Sequence, residues 1–260
     1  MSVSNGRQCY RFQNRIALVV GGAQGIGKAI SVALAREGAS LVIGDIDSER
    51  LCETTKEIET LETDICAIRC DVRQESEVVE MVRRTVEKHQ RIDILMYIAG
   101  VSKAEPFATM TSEHWDWIVD TNLRGAFLVS RCVIPHMISR GQGKLVFMAS
   151  TNSLDAEAGL APYNASKAGV WLLAKTLARE LGPHGITSNA IGPGFIRTRL
   201  TEPFLQDPAF TEKYTDGGGV IPLGRLGVPD DVVGPALFLA SSESDYVNGV
   251  LLFVDGGQLA

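Results

Sequence analysis

Tyr163 and Lys167 stand four residues apart in a segment with helical periodicity, so their side chains share one helix face. A phenol ordinarily titrates near ~10. A neighbouring positive charge favours the phenolate and lowers that value. A tyrosine so placed can take a proton from an alcohol, or give one to a ketone, near neutral pH. Such a pair is also common on helix surfaces, so its meaning depends on what surrounds it.

A second group of residues could hold a phosphate. Gly21, Gly22, Gly25 and Gly27 follow the apolar run Ile16 to Val20 and precede a helical pattern of Ile26, Ile30, Ala33 and Leu34 that stops at Gly38. Glycines there permit a tight turn and let the backbone approach a pyrophosphate, which the helix N-terminus then attracts. Asp45 comes 18 residues after Gly27, at the end of the next apolar run. An acid there accepts from the adenosine ribose of NAD and repels the extra phosphate of NADP. No Lys or Arg stands between Gly21 and Gly27 to attract that phosphate. The pattern therefore predicts NAD; the other reading of Asp45 is a solvated cap of the following helix.

The elements that must position these groups alternate along the chain. Strands are predicted at Ile16 to Val20, Leu41 to Ile43, Ile65 to Cys70, Ile94 to Ile98, Leu145 to Met148, Thr187 to Ile191 and Val250 to Val254. Between them lie helical segments such as Glu75 to Lys88, Glu113 to Arg140, Tyr163 to Leu181 and Asp230 to Ser241. Alternating β and α segments with nearly all-apolar strands predict an α/β Rossmann fold: a doubly wound, seven-stranded parallel sheet with helices on both faces. One domain over residues 1–260 is expected. The longest stretch without strand character, Phe195 to Val228, contains Gly217, Gly218 and Gly219 and reads as a substrate lid at about 195–228.

Bulk properties narrow the function. The net charge of −6 gives no electrostatic case for nucleic acid or an anionic membrane. Met1 to Arg15 is polar and no apolar run reaches membrane-spanning length, so a cytoplasmic protein is expected. The five cysteines, Cys9, Cys52, Cys66, Cys70 and Cys132, contain no C-x-x-C pair and read as structural thiols. His89, His114, His136 and His184 have no zinc-like spacing, so no protein-held metal is expected.

In this context the sequence resembles the short-chain dehydrogenase/reductase family over nearly its whole length. The family's Y-x-x-x-K corresponds to Tyr163 to Lys167, its catalytic serine to Ser150, 13 residues before the tyrosine, and its helix asparagine to Asn122. Its T-G-x-x-x-G-x-G aligns with Val20 to Gly27, its adenine-contacting acid with Asp71 followed by Val72, and its P-G-x-x-x-T with Pro193 to Thr198. Val254 to Gly257 resembles its last strand. The resemblance implies that Ser150 orients the reacting oxygen and Tyr163 exchanges the proton. It implies that Lys167 lowers the tyrosine pKa and binds the nicotinamide ribose, and that Asn122 holds a relay water. The implied cofactor contacts are Gly21, Gln24, Gly25, Ile26, Gly27, Asp45, Ile46, Asp71, Val72, Ala99, Gly100, Tyr163, Lys167, Pro193, Ile196 and Thr198. It also implies a homotetramer, and the apolar run Val250 to Val254 suits a buried terminus. Two departures stand out: Val20 replaces the threonine of the glycine motif, and Tyr97-Ile98 replaces both asparagines of N-N-A-G. Different local bracing is expected there, with binding kept; Tyr97 reads as a packing residue.

The expected substrate is small and polar, a sugar or sugar derivative oxidised at a secondary or hemiacetal hydroxyl. Asn152, Ser153, Asp155 and Glu157 give a polar stretch after Ser150. Lys103, Arg197 and Arg199 are cations on loops at the cleft and suggest an anionic group on the substrate, contacted with Ser150 and Asn152. The other reading has these cations facing water or pairing with Glu202 and Glu105. Two alternatives stay open for the whole chain: a 3-oxoacyl or other ketone reductase, and a catalytically silent dinucleotide-binding subunit.

Overall fold

Runs that are mostly apolar, without a polar alternation, suit a sheet covered on both faces. Seven form the strands β1 (Ile16–Val20), β2 (Ser40–Asp45), β3 (Ile65–Arg69), β4 (Ile94–Tyr97), β5 (Gly143–Met148), β6 (Ile186–Pro193) and β7 (Leu251–Val254). They pair in parallel in the order β3-β2-β1-β4-β5-β6-β7. This is the predicted seven-stranded Rossmann sheet. The computed structural model describes residues 10–208, 212, 214 and 219–260; Cys9, Gly217, Gly218 and the first nine residues lie outside them.

Helices α1 (Gly25–Arg36), α2 (Ser48–Glu59) and α8 (Pro229–Ala240) cover one face, burying Ile30, Leu34, Ile58 and Val232 against β1, β2 and β5. Helices α3 (Glu75–His89), α5 (Gly125–Ile138) and α6 (Ala161–Leu181) cover the other with Met81, Val133, Val170 and Ala174. Helix α4 (Ser112–Val119) packs on α6, and α7 (Glu202–Leu205) is a single turn. No described helix is long and apolar enough to cross a membrane. The strand order reverses between β1 and β4, and at that switch point a crevice opens beyond the carboxyl ends of the strands.

The structure adds to the predicted elements in two places. Helix α2 supplies the bounds of the helix expected after Asp45. Its charged composition reduces the apolar stripe to Leu51, Thr54 and Ile58, and its start is marked by Asp47, whose carboxylate accepts from Arg50 N at 3.2 Å. The second place is the single helix predicted from Glu113 to Arg140. It is interrupted: α4 passes through a π-helical segment, Asp120–Arg124, before α5 begins at Gly125. The cause lies on β4. Tyr97 is 1% exposed, and its hydroxyl donates to the Thr121 carbonyl at 2.5 Å, supplying a partner at the bulge. Gly125 makes room, because a Cβ there would meet Tyr97 Oη at 2.2 Å. Tyr97 therefore does more than pack.

Candidate active site

The turn from β1 to α1 is shaped by two glycines. Gly21 has φ +81°, and a Cβ on it would lie 2.5 Å from Ala99 N. A Cβ on Gly27 would sit 1.9 Å from the Gly21 carbonyl oxygen. Without a threonine at position 20, the loop is braced from outside. Ala23 N donates to Asp45 Oδ2 at 3.0 Å, Thr54 Oγ1 donates to Ala23 O at 2.8 Å, and Ser31 Oγ donates to Gly27 O at 2.9 Å. The loop is thus held by contacts from β2, α2 and α1.

This turn forms one end of a cleft of about 510 Å3, within the usual range of ~300–1,000 Å3 for cofactor sites. All the residues expected at the dinucleotide, from Gly21 to Thr198, line it. Asp45 is 8% exposed. Its Oδ1 accepts from Asp47 N at 3.1 Å and its Oδ2 from Ala23 N. A carboxylate has about four acceptor sites, so two backbone donors leave capacity for a ribose diol. Asp45 is not the helix cap, a role that falls to Asp47. Asp71 is clasped by Arg73, with Nη2 to Oδ2 at 2.6 Å and Nε to Oδ1 at 2.9 Å. That guanidinium holds the Asp71 carboxyl below its ordinary value. The bare glycine turn, the helix N-terminus beyond it and the carboxylates at the β2 and β3 ends fit a nicotinamide dinucleotide in shape and in donor set.

The four residues of the proposed tetrad meet at the far end. Ser150 follows β5; its Oγ accepts from Asn152 N at 3.1 Å. Tyr163 and Lys167 come from α6, with Lys167 Nζ 5.6 Å from the centre of the Tyr163 ring. Lys167 donates to the Met148 carbonyl at 2.7 Å. Burial pushes its ammonium down to about 8. Burial also raises the Tyr163 phenol, Ser150 beside it pulls it back, and the Glu157 carboxylate raises it further. The net direction for Tyr163 without cofactor is therefore upward, with desolvation of the phenol the largest cause; the positive nicotinamide that shares in the expected lowering is not part of this balance.

Asn122 is fully buried behind the cleft, inside the π-helical segment. Its Oδ1 accepts from Val101 N at 2.8 Å, while Nδ2 donates to Val101 O at 3.0 Å and to Ser166 Oγ at 3.0 Å. It clamps the loop after β4 to α6. A Cβ on Gly100 would lie 3.2 Å from Lys167 Nζ and 3.4 Å from Asn122 Oδ1, so lysine and asparagine flank the same short stretch of backbone.

A smaller pocket of about 50 Å3 opens beside Ser150 and Tyr163, lined also by Asn152, Glu157, Leu160 and Phe204. A chain of side chains fixes its polar wall. Asn152 Nδ2 donates to Asn164 Oδ1 at 2.8 Å, and Asn164 Nδ2 donates to Glu157 O at 2.8 Å. Tyr214, its ring tilted at 55° against Phe195 with 4.3 Å between ring centres, donates from Oη to Glu157 Oε1 at 3.2 Å. Asn164 and Tyr214 had no signal in the sequence, since both act through contacts between distant segments. Of the three cations expected near the substrate, Lys103 and Arg197 are exposed and line neither the cleft nor this pocket. Arg199 lines the cleft, its exposed side chain 3.8 Å from Asp47 beside the expected ribose site, and it does not line the small pocket. Glu105 pairs with His114, Nδ1 to Oε2 at 2.6 Å. Among the described residues no group of three or more His, Cys, Asp or Glu could hold a metal.

A family model described as enoyl-(acyl carrier protein) reductase matches residues 21–258. The 3-oxoacyl-acyl-carrier-protein reductase FabG of Thermotoga maritima is 38% identical over 247 residues, 95% of this chain and 98% of that protein. Gluconate 5-dehydrogenase of Gluconobacter oxydans is 36% identical over 244 residues, 93% of each chain. Among solved structures, a gluconate 5-dehydrogenase from Burkholderia cenocepacia in complex with NADP and tartrate superposes with a TM-score of 0.91 at 33% identity, covering 96% of this chain and 97% of that one. Together with the parallel sheet, the glycine turn and the Ser150, Tyr163 and Lys167 geometry, these similarities mean that the chain belongs to the short-chain dehydrogenase/reductase family of oxidoreductases.

Proposed function

We propose that the protein is an NAD-dependent dehydrogenase that oxidises a secondary or hemiacetal hydroxyl on a small polar substrate, a sugar or sugar derivative. The observation that carries this reading is the group of polar side chains, Ser150, Asn152 and Glu157, that converges beside Tyr163 on one wall of the small pocket, with Asn164 bracing Asn152 from behind. A long acyl or steroid substrate would call for a more apolar lining. Asp45, buried and aimed at the cleft, supports NAD over NADP by accepting from the ribose and repelling a 2′-phosphate.

In this reading Ser150 hydrogen-bonds the reacting oxygen and sets its position. Tyr163 takes the hydroxyl proton as general base. Bound in the cleft, the oxidised nicotinamide supplies both the hydride acceptor and a positive charge beside the phenol. Lys167, charged below about pH 8 and lining the cleft, adds to the positive potential around Tyr163 and would hold the adjoining ribose. Asn122 keeps the loop after β4 in place so that Ala99 and Gly100 present bare backbone to the cofactor.

Segment 195–228 acts as the substrate lid of a one-domain enzyme; its two ends are tied by Gly227 N to Phe195 O at 2.9 Å and Arg197 N to Gly227 O at 2.8 Å. The chain assembles as a homotetramer in the cytoplasm; a monomeric mass by light scattering at micromolar concentration would overturn the assembly. A second reading, a 3-oxoacyl reductase, is favoured by Leu160, Phe195 and Phe204 on the apolar wall of the same pocket and by the Thermotoga relative. The test is NAD reduction across a panel of sugars and polyols, run beside NADPH oxidation with a 3-oxoacyl thioester. Faster thioester reduction than any sugar oxidation replaces the first reading with the second.

A further inference from the structure

The cations that suggested an anionic substrate do not reach the place where the substrate's far end would lie. Among the described residues lining the small pocket, Glu157 is the one charged side chain. Its partners divide its carboxylate unequally. Oε1 accepts from Tyr214 Oη at 3.2 Å, and no described residue donates to Oε2. Glu157 is half-buried, and its main-chain carbonyl is held by Asn164, which also grips Asn152 next to Ser150. The backbone that carries the acceptor is thus fixed relative to the serine that orients the reacting oxygen, and Tyr214 orients the carboxylate itself. Lys103 and Arg197 are exposed, and Arg199 lies 3.8 Å from Asp47; none of the three lines the small pocket. Asp155, exposed two residues from Glu157, adds negative charge on the same side.

We infer that the substrate is neutral and hydroxyl-rich, and that Glu157 selects it by accepting a hydrogen bond from a hydroxyl remote from the reacting carbon. This rests on the reading of the site as a carbohydrate dehydrogenase and names the charge class within it. A carboxylate in a confined pocket accepts strongly from a hydroxyl, since hydrogen bonds with one ionised partner are about twice as strong as neutral ones. The same group opposes a second carboxylate, because like charges at short range in a low-dielectric site are costly. Discrimination then comes from attraction to the polyol and repulsion of the sugar acid together.

The test is kcat/KM with NAD for a series of neutral aldoses and alditols and the matching aldonates, for the wild-type enzyme and Glu157→Gln. The glutamine keeps an oxygen for Tyr214 and nearly the same shape, so the fold is retained; circular dichroism and the melting temperature confirm it. The wild type is expected to favour the neutral member of its best pair by at least about tenfold, the scale of one charge-assisted hydrogen bond. In Glu157→Gln that ratio should fall about tenfold or more, through lower efficiency on the neutral compound and higher efficiency on the acid. Equal wild-type efficiency on both, or a ratio unchanged by the substitution, overturns the inference while leaving the dehydrogenase reading intact. Failure of that reading looks different: neither class is oxidised while a 3-oxoacyl thioester is reduced, and the inference falls with it.

Discussion

Tyr97 and Gly125 make a coupling that a double-mutant cycle can measure. In Gly125→Ala the new Cβ would meet Tyr97 Oη at 2.2 Å and Val72 Cγ2 at 2.9 Å. The phenol must move, and its 2.5 Å bond to Thr121 O breaks. Overpacking of this kind costs ~1–3 kcal/mol. The broken bond leaves buried polar atoms unsatisfied at ~1–3 kcal/mol more. Alanine returns ~1 kcal/mol through its higher helix propensity. A net loss of ~2–4 kcal/mol is expected for Gly125→Ala. Tyr97→Phe removes the hydroxyl and strands only the Thr121 carbonyl, costing ~1–2 kcal/mol. In the double variant the clashing oxygen is gone and only the Val72 contact must relax. Its cost should fall short of the sum by about 1–2 kcal/mol, within the range seen for contacting pairs. Urea unfolding of all four proteins reads this directly, provided the slopes agree. Turnover reads the site: Thr121 precedes Asn122, so each single variant should lower kcat, with partial recovery in the double. Additivity within ~0.5 kcal/mol, or single variants with wild-type turnover, would refute the idea that Tyr97 shapes the π-helical segment holding Asn122.

Tyr163→Phe should reduce turnover by ~10² or more while NAD still binds, as measured by fluorescence titration; a residual rate above about a tenth would exclude a general-base role. Asp45→Ala should relax an NAD preference that in the wild type is at least about tenfold in kcat/KM; equal wild-type use of NAD and NADP contradicts the assignment of Asp45 to the ribose. Lys167 is depressed to about 8 by burial, whereas an unfolded lysine titrates near ~10.4. Between those values the unfolded chain binds more protons, so folding stability rises with pH across that window. Relative to Lys167→Met, the wild type should therefore gain stability from about pH 8 to about pH 10.4; parallel stability curves for the two proteins would show that the lysine is not desolvated as described.

The order of elements was legible because a parallel sheet covered on both faces demands apolar strands, and the strand centres fall where those runs lie. Boundaries differ by at most two residues at either end, as at β2, where Ser40 precedes and Gly44 and Asp45 extend the predicted Leu41 to Ile43. The bounds of helix α2 were hidden by its charges, because a short stripe of Leu51, Thr54 and Ile58 suffices when the helix lies along a sheet edge.

The sequence by itself determined the chemistry available and its order along the chain. Glycines at 21 and 27 are required where a Cβ would strike backbone, and Tyr163 and Lys167 share a face because a helix returns every 3.6 residues. These are local constraints, written in residue type and spacing. Tertiary structure decided what depends on contacts between distant segments. It set Tyr97 of β4 against Thr121 and so placed a π-helical segment inside a predicted helix. It buried Lys167 and Tyr163, so that desolvation rather than their mutual charge governs both. It also turned Lys103 and Arg197 to solvent, drew Arg199 toward Asp47, and brought Tyr214 onto Glu157 across 57 residues of chain. The charge that a substrate meets is set by which side chains converge in space, and no spacing along the chain carries that information.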